Sequence, residues 1–251
     1  MAHPTLLAVS HGTDDVEGAR AIADLVVQVA ARLPDVEVRS AFVDVQQPDA
    51  PGALAAIEGP VVVVPLLLSS GFHVHHDLHG MVADRIDAVV ADPLGPDPRL
   101  AQVLAQRLSG ASDLPVILAV AGSRDPRSLT DAEGMATQLH ARLGRPVHLA
   151  YLAAREPDLP TALAAHPDAV VSTYLLARGY FFDLAVRHSA GRSLTLPLLN
   201  GISVPEPLIA LVVARYEEAA AELEGEAVQA GHTTQAGHPM HAAQPCGAGA
   251  V

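Results

Sequence analysis

The chain has 251 residues, half of them hydrophobic, enough to bury one large core or two cores of about 110 residues each without disulfide staples. Its net charge of −13, with Arg supplying every cation and Lys absent, excludes the clustered cations on which nucleic-acid binding relies. No run approaches the roughly 18 apolar residues of a membrane helix, and the single cysteine, Cys246, excludes an internal disulfide and a thiolate zinc site.

Residues 1–10 lack the basic flank and cleavage site of a signal peptide, so the cytoplasm is the expected compartment. Strands are expected at 5–10, 36–43 and 61–68, separated by helical patterns at 16–32 and 50–57. A short fourth strand at 89–91 precedes a helix opened by Pro98 and ending at Leu108. This alternation predicts an α/β fold with a mostly parallel sheet. Near Asp113 the pattern restarts.

The restart is an internal repeat. Leu-Leu-Ala-Val-Ser-His-Gly-Thr (6–13) aligns with Ile-Leu-Ala-Val-Ala-Gly-Ser (117–123) when His11 faces Ala121 and Gly12 faces Gly122. Residues 41–49 match 150–158, residues 66–73 match 174–181, and Pro96-Asp97-Pro98 matches Pro205-Glu206-Pro207. The expected organisation is two tandem related domains, 1–112 and 113–224, each a small mostly parallel sheet flanked by helices. Residues 225–251, a His-containing low-complexity tail, are expected to be disordered.

Three polar residues of the first copy face apolar or small residues in the second: His11 faces Ala121, Asp44 faces Ala153, and His73 faces Phe181. All three fall at or just beyond the C-terminal ends of expected strands, the edge where open α/β sheets place ligands. Two imidazoles and a carboxylate with open positions suit Fe, Co, Ni or Zn, without choosing among them. His75, His76 and His79 crowd the same loop as His73 and are read as accessory. The first copy carries 6 Arg and 14 acids, the second 9 Arg and 13 acids, so the second is the less acidic partner.

Ser10-His11-Gly12-Thr13, Phe42-Val43-Asp44, and Gly71-Phe72-His73-Val74 with Asp77 resemble the motifs of the class II tetrapyrrole chelatases that metallate sirohydrochlorin, and the two copies resemble the fused form of that family. Asp44 stands where the family usually has Glu, and His79 where it usually has Pro. The resemblance implies insertion of a divalent ion, Fe2+ or Co2+ with Ni2+ also allowed, in siroheme or cobalamin biosynthesis, and no cofactor beyond that metal substrate. It implies His11 and His73 as catalytic ligand and base, with Asp44 tuning or completing the metal site. A neutral imidazole, of ordinary pKa about 6.5, can hold the ion and accept a proton as the ion leaves.

The substrate that the resemblance implies is a polycarboxylate. Gly12, Thr13, Ser69, Ser70 and Gly71 could offer it amides and hydroxyls. Arg124, Arg127 and Arg178, in the matching loops of the second copy, either cover it or are ordinary surface arginines. No nucleic-acid or membrane partner is expected, and the fusion of two copies favours a monomer.

Two other classes compete. His11-Gly12 after a strand resembles the histidine phosphatases, but Ser10 stands where their phosphate-binding Arg belongs. A metal-delivery protein could use His232, His238, His241 and Cys246. A dinucleotide site is unsupported, because no Gly-x-Gly-x-x-Gly follows the first strand.

Overall fold

The computed structural model describes residues 3–71, 77–110, 113–189 and 191–235, with side chains to residue 225. In the first copy β1 (Thr5–Ser10), α1 (Val16–Arg32), β2 (Val38–Phe42), α2 (Ala50–Ala55), β3 (Val61–Pro65), α3 (His79–Val82), β4 (Ala88–Val90) and α4 (Pro98–Arg107) follow in turn. The second adds β5 (Val116–Val120), α5 (Pro126–Leu143), β6 (Val147–Tyr151), α6 (Leu159–Ala165), β7 (Val170–Tyr174), α7 (Tyr180–His188) and α8 (Glu206–Gln235). The repeat is thus visible in every element but β4. The last helix continues to Gln235, past the change in composition after Leu223, and residues 236–251 with their histidines and Cys246 lie outside the described residues.

The strands form two wholly parallel sheets, β2-β1-β3-β4 and β6-β5-β7. In the second copy a single bridge, Val171 to Leu194, stands where the first has β4. Pro65 closes β3 short of the expected Leu68, since proline has no N–H to continue a ladder. Aspartate starts the helices: Asp15, Asp49, Asp97, Asp125 and Asp158 each accept a hydrogen bond from a main-chain N–H of the first turn, which satisfies donors a helix leaves open.

Side chains of the central strands alternate between two cores, as the pleat requires. Leu6, Ala8, Val62 and Val64 of the first sheet and Val116, Leu118 and Val120 of the second join one inner core, shared with α1, α4, α5 and α8. Their neighbours point outward: Leu7, Val9 and Val63 meet Leu54 of α2, while Ile117, Ala119 and Val171 meet Leu163 of α6 and Phe182 of α7. Four helices therefore lie between the sheets, and the remaining helices cover their outer faces.

The inner helices are exchanged between the copies. The first copy's α4 packs on α5 and β7 of the second, and the second copy's α8 packs on α1, β3 and β4 of the first. Tyr216 of α8 donates from its hydroxyl to the Pro4 carbonyl at 2.7 Å. Each buried leucine in this layer, such as Leu100, Leu104, Leu208 and Leu211, contributes roughly 1.5–3 kcal/mol by leaving water. Both sheets turn their C-terminal strand ends toward one opening.

Candidate active site

At that opening the ends of β1, β3, β5, β6 and β7 surround a cleft of about 670 Å³, a size typical of small-molecule sites. The first copy contributes Ser10, His11, Gly12, Thr13, Leu66, Ser69 and Gly71, and the second Ala121, Gly122, Ser123, Arg178 and five aromatic residues. Among the described residues no helix is long and apolar enough to cross a membrane.

His11 is placed by its main chain. The peptide turns at Gly12, which has φ +95°, and a Cβ there would lie 2.2 Å from the Asp44 carbonyl oxygen. Only glycine fits. Gly122 repeats the geometry, with φ +88° and a Cβ position 2.0 Å from the Ala153 oxygen. Val43 N–H donates to Ser10 O at 2.9 Å and Asp44 N–H to His11 O at 2.9 Å. These bonds extend the β1–β2 ladder by one step and leave the His11 residue exposed at the cleft. Beside it Ser10 is 2 % exposed, and its buried hydroxyl has no hydrogen-bond partner among the described residues.

The expected residues separate in space. Gly12, Thr13, Ser69 and Gly71 line the cleft with His11. Ser70 does not; its N–H donates to Asp131 Oδ2 of α5 at 2.6 Å. Asp44 is exposed and absent from the lining, and its carboxylate accepts from the Val45 N–H at 2.8 Å. Arg124 and Arg127 face an adjoining groove, where Arg127 is paired with Asp125 at 2.7 Å. Arg178 does reach the cleft, but it forms an ion pair with Glu17 of α1 at 3.0 Å. His79 opens α3 on the surface. His73, His75 and His76 lie outside the described residues. Among the described residues no group of three or more His, Cys, Asp or Glu side chains is placed to hold a metal ion.

The second copy braces the loops of the first. Tyr174 donates its hydroxyl to Leu68 O at 3.0 Å. Burial first, then the charges of Asp131 and Asp97, push its phenol far above the ordinary value, so it remains a protonated donor. Thr13 Oγ1 donates to Arg178 O at 3.3 Å, and Gly18 of α1 admits that same carbonyl, which would stand 2.2 Å from a Cβ. Sequence reasoning missed Asp131, Tyr174 and the aromatic wall. The one available signal was Tyr180-Phe181-Phe182, three aromatics in a row in a chain that is only 3 % aromatic.

Comparison with known proteins followed the same architecture. The model of the CbiX family matches residues 5–111 and again 115–233. "SirB from Bacillus subtilis with Fe3+" is 20 % identical, with a TM-score of 0.73 over 89 % of this chain and 98 % of that one. SirB from Bacillus subtilis subspecies spizizenii, a sirohydrochlorin chelatase in complex with cobalt, is 19 % identical, with a TM-score of 0.72 over 89 % and 97 %. CbiX, described as the terminal enzyme for biosynthesis of siroheme in denitrifying bacteria, is 19 % identical, with a TM-score of 0.64 over 84 % and 97 %. At these identities the solved structures speak for the shared fold. No curated protein matches the chain in sequence.

Proposed function

The chain belongs to the CbiX family, and from that premise we propose that it is a sirohydrochlorin chelatase, a lyase that places a divalent metal ion in the tetrapyrrole of siroheme or cobalamin biosynthesis. The observation that carries this reading is His11, held at a strand end by Gly12 and facing a cleft of about 670 Å³ between the two copies.

Insertion exchanges two pyrrole N–H bonds for bonds to the metal and releases two protons. A histidine at the cleft wall can ligate the incoming ion through its neutral ring and take a proton once the ion has moved to the macrocycle. His11 and His73 fill these two roles in the proposal. Asp44 acts chiefly through its main chain, whose N–H holds the His11 carbonyl, because its carboxylate is engaged with Val45. Main-chain groups at Gly12 and Ser69 meet the substrate carboxylates, Thr13 and Gly71 shape the cleft wall with their donors already bonded to Arg178 O, Gln46 Oε1 and Ser69 O, and Arg124 stands beyond the rim as a longer-range attraction. The ion is substrate, Fe2+ or Co2+ before Ni2+. The single chain already supplies both walls of the cleft, so it works as a monomer, in the cytoplasm.

An anaerobic assay tests this directly. Sirohydrochlorin is offered with Fe2+, Co2+ or Ni2+, and the shift of its visible absorbance is followed. Enzyme-dependent metallation by iron or cobalt is the expected result. No acceleration over the uncatalysed rate with any ion would overturn the reading.

A further inference from the structure

The chain has four Tyr, four Phe and no Trp. Among the described residues five of them, Tyr151, Tyr174, Tyr180, Phe181 and Phe182, line the cleft, and all five belong to the second copy. The first copy's described lining is small, aliphatic or polar. Among the described residues the aromatic side chains of the cleft thus stand on one wall and His11 on the other.

The five are not equivalent. Tyr151, Tyr174 and Phe182 are buried in the core, and Phe182 lies under the Arg178 guanidinium, 5.5 Å from its ring centre. Phe181 is half-buried against the outer core of the second sheet. Tyr180 is 67 % exposed, the only aromatic among the exposed large hydrophobics of the described residues, although it heads a helix whose next residues are anchored. Its ring meets Phe181 edge to face, with centroids 5.4 Å apart and planes at 73°. Phe181 therefore props Tyr180 at a tilt and does not share its plane, so of these five described rings Tyr180 is the one exposed enough to lie flat on a planar ligand. Leaving a large ring wet in a fixed orientation costs hydrophobic free energy that only an occupant recovers.

We propose that Tyr180 is a stacking platform for the tetrapyrrole, with the second copy gripping one face of the macrocycle while the first presents the ion from the other. The inference rests on the chelatase reading and adds to it a specificity-determining residue in the copy that has no histidine at the corresponding positions. The role gives the second copy a use at the cleft although it lacks the polar trio. His73 of the first copy aligns with Phe181, the ring that props the platform.

Steady-state insertion kinetics with sirohydrochlorin and Co2+ test it in wild type, Tyr180→Leu and Tyr180→Phe, with thermal melts confirming that these surface variants fold. Leucine keeps apolar bulk and removes the ring, so the KM for sirohydrochlorin should rise about fivefold to tenfold, as loss of a stacking contact predicts. The kcat and the KM for the ion should stay within about twofold. Phenylalanine keeps the ring and should restore the wild-type KM. An active Tyr180→Leu with unchanged KM for sirohydrochlorin would overturn the platform and leave the chelatase reading standing. A wild type that metallates nothing would overturn both.

Discussion

Asp44 and His11 sit on neighbouring strand ends, yet only His11 is part of the cleft wall. The difference lies in one local hydrogen bond, Val45 N–H to Asp44 Oδ1 at 2.8 Å, of the kind that aspartate makes readily in turns. Asp44→Ala should therefore keep the insertion rate within about threefold, since the main-chain bond to His11 survives and exposed polar contacts are worth about 1 kcal/mol or less. A loss of a hundredfold in the same assay would return the carboxylate to the metal. At this scale the polar-to-apolar comparison of the two copies pointed to a residue that lines the cleft, His11, because a polar group that one copy lacks stands out against a shared scaffold. It could not read the direction of the Asp44 side chain, which depends on a turn in which Val45 adopts φ 65°. Ligating residue types also say nothing of Tyr180, whose contribution on our proposal is a ring face.

Among the elements, α1 was legible to the residue, because its apolar spacing and the Asp15 cap agree. The ends of β2 and β3 were less so, since apolar residues continue past the last paired one. The exchange of α4 and α8 between copies was not legible, because each helix has the same amphipathic pattern whichever sheet it covers. A polar knot fixes that exchange. Asp97 caps α4 and accepts from Arg99 Nε and Nη2 at 2.8 Å, while Arg99 also reaches Ala210 O of α8 at 3.3 Å. Arg215 of α8 stands 3.7 Å from the same carboxylate and donates to Pro93 O at 3.0 Å. Burial would raise the Asp97 pKa, but the hydrogen bonds from Arg99 and the charges of Arg99 and Arg215 reverse this and hold it below the ordinary value. The unfolded chain thus binds the proton more tightly. The stabilisation is complete above the ordinary aspartate pKa of about 3.9 and disappears as the pH falls through the lower folded value. Asp97→Ala should lower the unfolding free energy at neutral pH by about 2 kcal/mol, the loss of a helix cap and of a largely buried ion pair discounted for the exposure of Arg99. Denaturant melts of the variant and wild type should converge as the pH is lowered below about 3.9. A gap that persists undiminished at low pH would contradict the assignment.

As a whole, the molecule is two copies of one unit that share a single inner core, so the sequence boundary near Ser112 does not divide the packing. Each half lends the other a helix, and the second half also ties down the loops of the first through Asp131, Tyr174 and Arg178. The second copy, which lacks the polar trio, is thus still needed for the packing of the first. It is structural support, and on our proposal it forms one wall of the substrate site and the reaction belongs to the histidines of the first copy. Anaerobic single-turnover insertion of Co2+ into sirohydrochlorin by wild type, His11→Ala and His73→Ala tests that claim most directly. The account predicts insertion by the wild type and a fall of at least about a hundredfold in each variant, the usual range for removing a general acid–base group, with folding intact. Insertion at the wild-type rate by both variants would contradict it.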